Sequence, residues 1–195
     1  MPKIGSTIKP FLAHAYDPKK DAFIEVSEKD LIGPKKWSVI FFYPADFTFV
    51  CPTELEDLAE NYAAFEKLGV QIYSVSTDKE FSHKAWHDTS DAIRKVQFPM
   101  LGDPAGVLAT NFDVLMDSPK GDTFWADRGT FLIDPEGRIQ YVEITSPGVG
   151  RSAKELLGKI EAAQYVASHP GEVCPAHWKE GGKVLTPGIN LVGKI

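Results

Sequence analysis

Two cysteines decide what chemistry this chain can attempt. Cys51 lies in the stretch Phe42-Tyr43-Pro44-Ala45-Asp46-Phe47-Thr48-Phe49-Val50-Cys51-Pro52-Thr53-Glu54, and Cys174 lies far downstream in Gly171-Glu172-Val173-Cys174-Pro175. They form no Cys-x-x-Cys pair and have no zinc-type spacing, which argues against a general disulfide oxidoreductase and against a structural metal site. A nucleophilic thiol remains, weighed against two structurally inert buried cysteines. The thiolate is the reactive form, and it is favoured at the start of a helix, where unpaired backbone N–H groups stabilise an anion. His83 and His87 are four residues apart. Without a His-Glu-x-x-His pattern or a third ligand they read as structural side chains. No Gly-rich phosphate loop or flavin signature is present, so neither a bound cofactor nor a metal is expected.

The elements that must hold Cys51 are legible around it. Residues 37–43 are a continuous apolar, β-branched and aromatic run ending at Pro44, which predicts a central strand buried on both faces. After Cys51, the residues Leu55, Leu58, Ala59, Tyr62, Phe65 and Leu68 recur in steps of three and four and predict one helix. Glu54, Glu56, Asp57, Glu60 and Lys67 fall mostly on its other sides. Pro52 suits the first helical position, which makes Cys51 the N-cap, and Gly69 ends the helix.

Further along, residues 70–76 alternate as a second strand, and Thr77-Asp78-Lys79-Glu80 has the spacing of a capping box that opens a short helix through Trp86. Residues 98–101 read as a connecting segment, and Asp103-Pro104 as the cap of a short helix ending near Asn111. Residues 113–127 lack periodicity, with a loop at 118–121. Residues 130–133 and 139–144 predict a hairpin across the turn Asp134-Pro135-Glu136-Gly137. Ser152-Ala153-Lys154-Glu155 opens a last helix lined by Leu156, Ile160, Ala163 and Ala167. Upstream, residues 1–36 form a leading segment with a half-exposed strand at 21–27 and a turn at 32–35. This order of elements predicts an α/β fold with a thioredoxin-like arrangement.

Bulk composition narrows the class. With 195 residues, 43% of them hydrophobic, the chain can build one well-cored domain, read as residues 1–167, with a C-terminal extension at 168–195 carrying Cys174. A formal net charge of −6 and the lack of a dense Lys/Arg run argue against nucleic-acid binding. Apolar runs such as 39–43 are far shorter than the roughly 20 residues of a membrane helix. Residues 1–8 have no apolar core of a secretory signal, so the expected location is the cytoplasm.

The stretch around Cys51, with its Pro44-x-x-x-Thr48-x-x-Cys51 core, closely resembles the active-site signature of peroxiredoxins. The segment Gly171-Glu172-Val173-Cys174-Pro175-Ala176-His177-Trp178 resembles the resolving-cysteine segment of their typical two-cysteine members. Asp127-Arg128-Gly129-Thr130-Phe131, Val149-Gly150-Arg151-Ser152 and residues 163–170 match as well. The likeness covers essentially the whole chain and is greatest to the bacterial alkyl hydroperoxide reductase C group.

The resemblance implies a thiol peroxidase acting on hydrogen peroxide and organic hydroperoxides. Cys51 would be the peroxidatic nucleophile, oxidised to a sulfenic acid, and Cys174 the resolving thiol that condenses with it. Thr48 would offer its hydroxyl to the peroxide, Arg128 its guanidinium to sulfur and peroxide, and Pro44 would shield the site. Glu54, Arg151 and Trp86 would be supporting residues. The Cys51–Cys174 disulfide would join two chains, implying an antiparallel homodimer and a decamer, a ring of five dimers. Electrons would come from a flavoprotein disulfide reductase or a thioredoxin-like partner. A thiol-switched holdase chaperone or peroxide-signal relay is the alternative. One departure stands out: the Gly-Gly-Leu-Gly insertion and the C-terminal Tyr-Phe helix of peroxide-sensitive members are missing, so Cys51 is expected to resist over-oxidation.

Overall fold

In the computed structural model, which describes residues 2–116 and 124–194, the first strongly apolar run is strand β3 (Trp37–Phe42), with all six residues buried. The expected loop at 118–121 lies outside the described residues. Burial on both faces requires flanking strands and covering layers. Strand β4 (Val70–Ser76) lies parallel to β3 on one side, and β6 (Arg128–Ile133) lies antiparallel on the other. The parallel pairing demands a crossover, supplied by α1 (Cys51–Glu60) and α2 (Tyr62–Lys67). Strands β1 (Leu12–Asp17), β2 (Ala22–Ser27), β5 (Met100–Gly102) and β7 (Ile139–Thr145) complete a mixed sheet ordered β2-β1-β5-β4-β3-β6-β7. The remaining helices are α3 (Glu80–Thr89), α4 (Val107–Asn111) and α5 (Ala153–Ser168). The chain forms two compact units, Met1–Ala153, which contains the whole sheet, and Lys154–Ile195.

The α/β class and the β6–β7 hairpin agree with expectation; Gly137 N–H closes its turn onto Asp134 O at 2.9 Å with φ +81° at the glycine. Several details differ. The predicted single helix after Cys51 breaks at Asn61 (φ −98°, ψ 2°), although Leu55, Leu58, Ala59, Tyr62 and Phe65 are all buried as its spacing requires. Residues 1–36 hold two strands rather than one. In β1 the large apolar residue Leu12 is 64% exposed while Ala13 and Ala15 are buried, so the hydrophobic alternation is carried by alanines and is weak. The segment 98–101 is not a mere connector. It leads into β5, a three-residue strand that sits inside the sheet between β1 and β4.

Helix caps also depart from the sequence pattern. Thr77 does not cap α3, whose N-cap is Lys79; its hydroxyl donates instead to Phe124 O at 2.6 Å. Nor is Asp103 the N-cap of α4, which is Gly106, but its carboxylate accepts from the backbone of Leu108 at 3.1 Å and Ala109 at 2.8 Å in the first turn. In α5, Leu156 and Ile160 are buried, but Ala167 is exposed.

Candidate active site

The site grows from the carboxyl end of β3, with β4 on one side and the later strand β6 on the other. Such switch points of an α/β sheet leave a crevice beyond the strand ends. Pro44 ends the strand and is buried, and the chain then loops outward before α1 begins. Phe47 takes the left-handed conformation (φ +55°), a state costing a bulky residue about 1–2 kcal/mol. Trp86 of α3 holds it there by ring contact at 5.8 Å and also meets Tyr43 at 6.1 Å. The loop turns Phe49 out to solvent, 91% exposed, and brings Cys51 in at 0%.

Cys51 is not the N-cap. Val50 takes that place with αR angles, so Cys51 is the first helical residue and Pro52 the second. The backbone N–H groups of Thr53 and Glu54 both return to Val50 O, at 3.0 Å and 3.3 Å, and Thr53 Oγ1 donates to the same carbonyl at 2.7 Å. The first turn is thereby closed over the sulfur.

Three charged side chains meet behind it. Arg128 Nη1 donates to Cys51 Sγ at 3.3 Å and to Glu54 Oε2 at 2.7 Å, while its Nε donates to Pro147 O at 2.8 Å. Glu54 Oε1 accepts from the backbone N and the Nε of Arg151, each at 2.9 Å. The Arg151 guanidinium also donates to Thr130 Oγ1 at 3.0 Å and Phe42 O at 2.8 Å, and lies 3.5 Å over the Phe41 ring. Burial lowers the Arg151 value while hydrogen bonds and charge from Glu54 oppose that shift; a guanidinium starts high enough to stay charged. Periodicity placed Glu54 on the polar side of the helix, yet it is 2% exposed. Its burial is permitted because two guanidiniums occupy its acceptor positions.

Thr48 Oγ1 donates to Ala45 O at 2.8 Å, which leaves the hydroxyl's lone pairs as acceptors and ties down the loop beside Pro44. Cys174 lies in the second unit, partly buried, and both cysteines are free thiols. His83 and His87 do not face a common point. His87 Nε2 lies 3.3 Å from Val96 O. His83 is fully buried, with Nδ1 2.8 Å from Asp46 Oδ2 and Nε2 3.1 Å from Leu101 O.

The residues that sequence reasoning missed belong to this layer beneath the loop. Tyr43 donates to Asp46 Oδ1 at 2.8 Å, and Asp78 Oδ2 accepts from Asp46 N at 2.8 Å and Ser76 Oγ at 2.7 Å. Burial alone lowers the His83 value, but the Asp46 hydrogen bond and charge, with the Leu101 carbonyl, raise it overall. Tyr43 is pushed well up, first by burial and then by Asp46. The buried Tyr-Asp-His cluster shows no sequence periodicity, since Tyr43 and Asp46 come from the loop after β3 and His83 from α3.

Comparison with known proteins places these features in context. The model for the AhpC/TSA family matches residues 4–142, and that for the C-terminal domain of 1-Cys peroxiredoxin matches residues 162–190. The chain belongs to the AhpC/TSA family. It is thus a peroxiredoxin, an enzyme of a class of thiol-dependent peroxidases. The alkyl hydroperoxide reductase C proteins of Staphylococcus haemolyticus and Escherichia coli are 59% and 56% identical to it, each over the full length of both chains. Among solved structures, Enterococcus faecalis AhpC is 47% identical with a TM-score of 0.82, covering 90% of this chain and 100% of its own. The reduced 2-Cys peroxiredoxin of Plasmodium vivax is 33% identical with a TM-score of 0.85, covering 93% and 91%. The sheet with its helices is accordingly the thioredoxin-like fold of the peroxiredoxins. Among the described residues no helix of this peroxiredoxin is long and apolar enough to cross a membrane.

Proposed function

We propose that this thiol peroxidase reduces hydrogen peroxide and organic hydroperoxides through Cys51. The Cys51 thiolate attacks one oxygen of the O–O bond, the bond breaks, and the distal oxygen takes up a proton and leaves as water or alcohol. Arg128 stabilises negative charge on the sulfur and on the leaving oxygen, and Thr48 positions the peroxide. Pro44 keeps water from the pocket. The observation that carries this reading is Arg128 Nη1, which reaches Cys51 Sγ at 3.3 Å while Glu54 fixes it at 2.7 Å. Glu54, Arg151 and Trp86 act by holding that geometry and the loop.

The sulfenic acid then condenses with Cys174, releasing water and leaving a disulfide. A sulfur that is 0% exposed must first be released, so the turn after Cys51 unwinds before condensation. The disulfide joins two chains of a homodimer, and dimers assemble into a decamer. In the cytoplasm a flavoprotein disulfide reductase or a thioredoxin-like dithiol restores both thiols, with no cofactor held by this chain.

The deciding experiment follows peroxide loss against dithiol consumption for the parent, Cys51→Ser and Cys174→Ser. Cys51→Ser is expected to be inactive. Cys174→Ser is expected to consume one equivalent of peroxide and then lose turnover with a protein dithiol. Peroxide loss at the parent rate in Cys51→Ser overturns the mechanism.

A further inference from the structure

The second unit holds Cys174 in a small closed frame. Val173 and Leu185 exchange backbone hydrogen bonds at 2.9 Å and 3.0 Å, and the Trp178 indole donates to Gly182 O at 3.3 Å. The Cys174 sulfur lies 3.9 Å from Ala162 O on α5. Three residues further along that helix, and so on the same face, the Tyr165 hydroxyl donates to Glu172 Oε2 at 2.6 Å. The Tyr165 ring is itself fixed, stacked on His169 at 4.0 Å and tilted against Trp178 at 5.0 Å. Glu172 and Cys174 flank Val173, whose isolated antiparallel bridge to Leu185 makes the backbone extended there, so that the two side chains share one side.

Among the described residues, the ionisable groups coupled to the thiol by charge are Glu172 from its own segment and Tyr165 from α5, with His169 stacked on the latter. Burial pushes the Cys174 thiol up and the Glu172 charge adds to the effect. Tyr165 is raised by its hydrogen bond to Glu172 and then by burial.

We infer that Glu172, fixed by Tyr165 two residues ahead of Cys174, is a positioning residue for the resolving step: its carboxylate, held on the Cys174 side of the segment, sets the pH dependence of Cys51–Cys174 disulfide formation. The inference rests on the reading of Cys174 as the resolving residue. In that step the Cys174 S–H gives up its proton and its sulfur attacks the sulfur of the Cys51 sulfenic acid. The S–S bond forms as the S–O bond breaks, and the departing hydroxide takes up a proton to become water. The peroxide has already removed two electrons from Cys51, so no further oxidant is required. A carboxylate that disfavours the thiolate slows condensation near neutral pH and lengthens the life of the sulfenic acid.

Glu172→Gln keeps the shape and the hydrogen bond from Tyr165 but removes the charge. For each unit by which Cys174 becomes more acidic, the thiolate fraction rises about tenfold below its pKa while its nucleophilicity falls about threefold. Disulfide formation in peroxide-treated enzyme, followed by rapid quench against pH, is therefore expected to be about threefold faster per unit on the acid side. On the alkaline side, where both proteins are fully thiolate, the variant is expected to be slower, so the two profiles cross. Tyr165→Phe keeps the ring contacts, frees the carboxylate, and is expected to shift the profile the same way by less. A variant that only loosens the segment speeds the step at every pH, and profiles that never cross overturn the inference.

A second arm titrates Cys174 alone by its alkylation rate with iodoacetamide in the Cys51→Ser background. A titration unmoved by Glu172→Gln likewise overturns the inference. A parent that forms no Cys51–Cys174 disulfide after peroxide overturns the functional reading instead, and the alkylation arm still decides whether Glu172 governs the thiol.

Discussion

Glu54→Gln isolates the charge at the centre of the site. The shape of the side chain is kept, but Arg128 and Arg151, 4% and 8% exposed, then face an amide that can accept at one end only. At present Oε2 accepts from Arg128 at 2.7 Å and Arg151 Nη2 at 3.2 Å, and Oε1 accepts twice from Arg151. Whichever end carries the amide nitrogen presents N–H groups to other N–H groups. Removing one partner of a buried ion pair costs about 3–5 kcal/mol. Arg151 retains Thr130, the Phe42 carbonyl and the Phe41 ring, so the lower end, about 3 kcal/mol, is expected. For a chain of this size that corresponds to a fall in Tm of about 6–12 °C. Arg128 also loses the contact that aims it at sulfur, so kcat/KM for peroxide is expected to fall about 10- to 100-fold, less than full removal of a charge-stabilising donor. Calorimetry on the reduced protein and stopped-flow peroxide consumption measure the two effects. A variant unfolding within about 1 °C of the parent refutes the energetic reasoning, and a variant with the parent rate refutes the role of Glu54 in aiming Arg128.

Thr48→Val removes the hydroxyl with little change of shape; peroxide reduction should fall about 100-fold while Thr48→Ser stays near the parent, and a fast Val variant in stopped-flow assays would discard the role of Thr48. Its effect on unfolding should stay near 1 kcal/mol, the worth of its one hydrogen bond to Ala45 O. The raised value of His83 makes its ion pair with Asp46 fully stabilising below the ordinary histidine value of about 6.5 and progressively lost as pH rises through the raised value. The Tm gap between the parent and His83→Gln should therefore narrow as pH rises, and a gap that widens contradicts the assignment. Mass spectrometry after turnover with a large excess of peroxide should find Cys51 mainly as disulfide, the outcome expected of a sequence with no Gly-Gly-Leu-Gly run; quantitative sulfinic acid at modest excess is the contrary result.

The sequence by itself determined the parts whose cause is local. The apolar run of β3, interrupted only by Ser38, the spacing of Leu55, Leu58, Tyr62 and Phe65, and the Asp134–Gly137 turn each carry their conformation in their own residues. The motif around Cys51 also carried the chain's peroxiredoxin character. What only the tertiary structure decided is everything that depends on partners distant in the chain. β5 is too short to show a period, and it is a strand because β1 and β4 supply its hydrogen bonds from either side. Glu54 belongs by spacing to a solvated helix face, and it is buried because Arg128 and Arg151, each from a later segment, neutralise it there. The pairing of His83 with Asp46, 37 positions apart, is of the same kind. A buried charge needs its hydrogen bonds met, and for Glu54 and His83 the groups that meet them come from other segments of the chain.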